Sequence, residues 1–98
     1  MARSFSNSYI TVGSAPVTAA PLTTAAWFNS TSITSTQCIL STGGQSPPAS
    51  RNEFWLLLSG SKLWAGTQSQ IAWSYATSTA ALSNNVWYHA CGVYRAAN

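Results

Sequence analysis

One acidic side chain, Glu53, stands in a chain of 98 residues, beside one histidine, His89, and two cysteines, Cys38 and Cys91. That inventory decides much of the chemistry. Glycoside hydrolysis usually needs two carboxyl groups flanking the scissile bond, one to protonate the leaving oxygen and one to act as base or nucleophile. A single glutamate cannot fill both places. A Ser-His-Asp triad fails for want of any aspartate, and a Cys91/His89 pair has no obvious third group to orient the imidazole. No catalytic residue is assigned, and both side chains read as packing residues in mid-strand. Cys38, His89 and Cys91 could offer three zinc ligands if their strands adjoin, but the spacing matches no zinc finger and a closed structural site takes a fourth. Calcium prefers several carboxylate oxygens. No metal or other cofactor is expected.

Aromatic surface is plentiful, with five Trp, four Tyr and three Phe. Sugars stack their apolar C–H faces on Trp or Tyr while Asn, Gln, Arg or Ser hydrogen-bond the hydroxyls. Trp64, Trp73 and Tyr75, with Arg51 and Gln70 nearby in sequence, form a candidate glycan-binding platform. The competing reading puts all three rings in the core. Trp64 and Trp73 each alternate with small or polar residues, a pattern that leaves the choice open.

Composition narrows the partners. Hydrophobic residues make up 46% of the chain, enough for one folded domain over residues 1–98. Charged residues are only 5%, against ~25% in an ordinary domain, so solubility rests on hydroxyls and amides. The net charge of +3 comes from Arg3, Arg51, Lys62 and Arg95, no two closer than eleven positions. A nucleic-acid binder would cluster them. Cys38 and Cys91 fall within apolar strand patterns and read as buried thiols, a disulfide between them being the alternative. Met1 to Ser8 has no apolar signal-peptide region, and no apolar run is long enough to span a membrane.

The elements that must position these residues read as short strands. Tyr9–Val12, Leu22–Asn29, Gln37–Ser41 and Ile71–Ala76 are each bounded by turn residues. Pro16 and Pro21 confine the piece between them to a connector or an edge. Phe54–Leu58 and Leu63–Ala65 flank Ser59-Gly60-Ser61 as a hairpin, Gly60 supplying the positive φ. Gln45–Asn52, with Pro47-Pro48, forms the longest loop. Asn84-Asn85 suits a tight reversal before a strand from Val86 to Tyr94. That strand has Trp87, His89, Cys91 and Val93 on one face and Val86, Tyr88, Ala90, Gly92 and Tyr94 on the other. Both faces are largely apolar, so it reads as a central strand covered on both sides. No helical pattern with caps appears, and an all-β antiparallel sandwich is expected.

With those residues in place, the chain resembles the laminin-G-like branch of the concanavalin A-like jelly rolls. The likeness rests on Ser8-Tyr9-Ile10-Thr11-Val12, Pro21-Leu22 with Ala26-Trp27-Phe28, the Phe54-to-Trp64 hairpin, and Trp87 to Tyr94. The last run is similar to the family's Trp-His-His-Val-Ala-Gly-Val-Tyr strand. The resemblance implies that Trp27 and Trp87 are buried, in a core shared with Phe28, Leu56, Cys91 and Val93. The runs Ser14 to Leu22 and His89 to Val93 look most like small laminin-G-like proteins of bacteriophages. In the family, further strands follow the one matched by Trp87 to Tyr94. The jelly roll is therefore expected to be incomplete, either because other subunits complete it or because the chain is a fragment.

Three functions follow as expectations. The first is a non-enzymatic virion component, a capsid-decoration or tail-associated module made in the host cytoplasm and carried on the virion surface. It would adhere to other virion subunits and to itself. The second is a carbohydrate-binding module using its exposed Trp and Tyr, and the third, an enzyme, lacks the residues. Neither nucleic acid nor membrane is expected as a partner.

Overall fold

The reversal at Gly60-Ser61 sets the register of the larger sheet. Gly60 has φ 57° and Ser61 φ 65°, the pair of left-handed conformations that a two-residue type I′ hairpin turn requires. Strands β3 (Glu53–Ser59) and β4 (Lys62–Gln68) leave this turn antiparallel. Ser59 then faces Lys62, Leu57 faces Trp64, Trp55 faces Gly66 and Glu53 faces Gln68. On the far side of β3 lies β2 (Gln37–Thr42), its register shifting between Cys38 and Leu40. On the far side of β4 lies β5 (Trp73–Thr77), which makes the order β2-β3-β4-β5. A second sheet pairs β1 (Leu22–Phe28) with β6 (Tyr88–Tyr94), again antiparallel. This computed structural model describes residues 6, 10, 13, 19–42, 53–68 and 72–95. All of their regular elements are strands.

The two sheets stack, β6 against β3 and β4 and β1 against β2. Leu56 and Leu58 are 0% and 1% exposed, and Phe54, Ala90 and Tyr94 are buried with them. Tyr94 pins the layers together. Its ring meets Phe54 edge-on at 5.2 Å, its hydroxyl donates to the Trp55 carbonyl at 2.7 Å, and Thr24 Oγ1 donates to it at 3.4 Å. Burial raises the Tyr94 pKa above the ordinary phenol value, the Thr24 hydrogen bond opposing it and the Cys91 and Cys38 charges adding to it. Gly92 makes room for this ring, since a Cβ there would sit 2.8 Å from the Tyr94 hydroxyl.

Loops close one end of the sandwich. Ser61 N donates to Ile33 O at 3.1 Å, Leu82 N to Ser61 O at 2.8 Å and Asn85 N to Ser30 O at 2.8 Å. Asn84 Oδ1 accepts from Ile33 N at 2.9 Å, while Asn85 takes φ 60°. The reversal expected at Asn84-Asn85 is thus built from one left-handed residue and one side-chain bond. Among the described residues no buried side-chain nitrogen or oxygen lacks a partner.

The structure corrects the expected core. The strand covered on both faces is β3, not β6. Along β6 the buried residues are Ala90, Gly92 and Tyr94, and the opposite face looks out. Trp27 is 68% exposed, Val93 64% and Trp87 54%; Cys91 and Cys38 are exposed free thiols rather than buried or bridged ones. Phe28 is half-buried, stacked on Tyr88 at 5.7 Å. The cause is that period-2 alternation shows which residues share a face, but not which face meets a second layer. Phe54, Leu56 and Leu58 supply most of the volume between the sheets; β6 adds Tyr94 beside the small Ala90 and Gly92 and turns His89, Cys91 and Val93 outward. The strand expected at Tyr9–Val12 lies outside the described residues except for Ile10, which is exposed.

Candidate functional site

Alternation along the hairpin carries Glu53, Trp55, Leu57 and Ser59 of β3 to the same outer face as Lys62, Trp64, Gly66 and Gln68 of β4. The pairing of β4 with β5 adds Trp73, Tyr75 and Thr77 to that face. Four aromatic rings therefore share one side of the sheet. Trp55 is its floor: the indole lies across Gly66, and any Cβ at residue 66 would overlap the six-membered ring. That placement leaves Trp55 8% exposed. Trp73 tilts over it at 6.3 Å between ring centroids.

Trp64 and Tyr75 form a second pair, 4.8 Å apart and inclined by 37°. Trp64 is held by its indole N–H, which donates to Ser59 O at 3.0 Å. Trp73 remains 64% exposed and Tyr75 59%. With Leu57, Ser59 and Thr36 the four rings border an open depression of ≈ 160 Å³. An enclosing ligand pocket holds ~300–1,000 Å³, so this surface lies against a flat ligand instead of surrounding one. Its hydroxyls are partnered, Thr36 Oγ1 and Ser59 Oγ lying 3.0 Å apart. The charged described residues of this face, Glu53 and Lys62, stand at opposite ends of the hairpin and leave the middle uncharged.

Of the residues named from sequence, Trp64, Trp73 and Tyr75 come together here. Arg51 and Gln70 lie outside the described residues. Sequence reasoning missed Trp55, Leu57, Thr36 and Ser59, and also Gln68 beside Trp73 and Glu53 one strand beyond it. Part of this was legible. Counting outward from a two-residue turn at Gly60-Ser61 pairs Trp55 with Gly66, a large ring opposite a residue with no side chain. The second aromatic surface, on β1 and β6, holds Trp27 against His89 at 5.0 Å. Neither ring contributes to the depression on the other sheet.

The Laminin_G_3 family model, described as the concanavalin A-like lectin/glucanases superfamily, matches residues 4–98. The chain belongs to this family. Its two stacked antiparallel sheets are the laminin-G-like jelly-roll sandwich, a fold whose members often bind proteins or carbohydrates. Neither the curated proteins nor the solved structures give a match to this laminin-G-like chain. A fold does not fix a function; the chemistry of the site does.

Proposed function

We propose that this laminin-G-like chain is a non-catalytic binding module that holds carbohydrate on the outer face of β3–β5. One observation carries the reading: Trp73 and Tyr75 are more than half exposed on a face where Trp55 and Trp64 fix them from below and beside. Exposed indoles cost solubility, and rings held rigidly lose little entropy when a ligand stacks on them. A pyranose offers an apolar C–H face of matching shape, and hydroxyls of the chain line the border. Binding on a glycan array tests this. Trp73→Ala should weaken it roughly tenfold or more, as an aromatic anchor does, with only a small fall in melting temperature from uncovering Trp55. Retention of full affinity by Trp73→Ala and Tyr75→Ala would reject the site.

A second reading is favoured by the outer face of β1 and β6. There Trp27, Trp87 and Val93 are exposed beside Ala25, His89 and Cys91. A largely apolar strip of this kind suits contact with protein subunits. Under this reading the chain is a virion-associated adhesion module, made in the host cytoplasm and placed on the virion surface through head or tail proteins. Purified particles lacking the chain would dismiss it.

A further inference from the structure

We infer that the carbohydrate surface selects against anionic sugars at its Trp73 end, with Glu53 and Gln68 as the residues that set this specificity. The inference rests on the carbohydrate reading above and deepens it. Residues 53, 68 and 73 are consecutive partners across β3, β4 and β5, Glu53 opposite Gln68 and Gln68 opposite Trp73. Strands lie about 4.8 Å apart, so a sugar on Trp73 has Gln68 one spacing away and Glu53 roughly 10 Å away. Both polar side chains are half-buried, and Trp73 is open to solvent.

Their chemistry is complementary. The Gln68 amide donates and accepts, whereas an ionised carboxylate only accepts, so Glu53 pairs with sugar hydroxyls and repels sulfate or uronate groups. Lys62 shares the face but sits at the other end of β4, about 20 Å from Gln68 by the strand rise. That exceeds the ~10 Å screening length at 0.1 M salt, so at that salt Lys62 does not neutralise Glu53; Arg51, two residues before Glu53, lies outside the described residues. The whole chain argues the opposite way. Its net charge of +3 predicts a general attraction to acidic polymers, and the two expectations separate cleanly.

The full chain, Glu53→Gln, Gln68→Ala and Trp73→Ala are compared on an array of neutral, sulfated and uronate-bearing glycans, with melting temperatures recorded for each. The native chain should bind neutral members in preference to charged ones. Glu53→Gln should raise the ratio of anionic to neutral binding roughly fivefold at about 0.1 M salt, an effect that fades towards about 1 M because it is a screened charge. Gln68→Ala should weaken neutral binding about fivefold through loss of a hydrogen bond. Preference of the native chain for anionic members, or an unchanged ratio in Glu53→Gln, overturns the assignment while leaving the carbohydrate reading intact. Binding to no member removes the carbohydrate reading itself.

Discussion

Tyr94 shows how much one side chain can organise. It joins β6 to β3 through the Trp55 carbonyl, touches β1 through Thr24 and packs on Phe54. Tyr94→Phe leaves that buried carbonyl without the hydroxyl donor and should cost about 1–3 kcal/mol in denaturant unfolding. The same burial has a pH signature. Because the folded state holds the phenol proton more tightly than the unfolded chain does, the contribution is full below about pH 10 and falls as pH rises through the folded pKa. Native Tyr94 should therefore give a steeper alkaline loss of stability than Tyr94→Phe, read from melting temperatures between neutral and alkaline pH. Gly66 is a second such position. Gly66→Ala forces Trp55 off the strand, which should cost about 1–3 kcal/mol as overpacking does, and it should weaken ligand binding by tilting the floor under Trp73.

At the scale of elements, the contrast between β3 and β6 decides where mutations hurt. Both strands carry bulky residues on both faces. Only β3, with β2 and β4 beside it and Trp73 above Trp55, has both faces covered. Leu56→Ala should cost about 2–5 kcal/mol. Trp27→Ser and Trp87→Ser should stay within about 0.5 kcal/mol, as exposed positions do. Urea unfolding of the three variants checks the ordering, and a loss of several kcal/mol at Trp27 would mean that its face is covered in solution. The hairpin turn is equally specific. Gly60 and Ser61 both need positive φ, so Gly60→Val should destabilise by about 1–2 kcal/mol through its Cβ, and Ser61→Gly should not.

On the scale of the whole molecule, an aromatic surface lies on each outer side of a sandwich with almost no charge. The β3–β5 surface is braced from within by Trp55 and by the Trp64 bond to Ser59. Among the described residues the β1–β6 surface has the Trp27–His89 contact and two supporting strands, with no ring beneath it comparable to Trp55. The first holds its rings in fixed positions, and the second is an exposed apolar strip. Under the protein-contact reading of the β1–β6 face, Trp27→Ser with Trp87→Ser should lower any self-association measured by light scattering and leave the proposed glycan binding in place. Trp73→Ala should do the reverse.

The amino-acid order alone determined the strands β1 to β6, the β3–β4 hairpin and the absence of a second acidic side chain, because these depend on alternation, turn residues and inventory within short stretches. The grouping of Trp73 with Tyr75 was equally local. Layering was decided only in three dimensions. Trp27, Trp87 and Val93 look as apolar in sequence as Phe54, Leu56 and Leu58, and what separates them is which face has another sheet across from it. The row Glu53–Gln68–Trp73 needed two strand pairings at once, and burial is a property of neighbours that lie far apart along the chain.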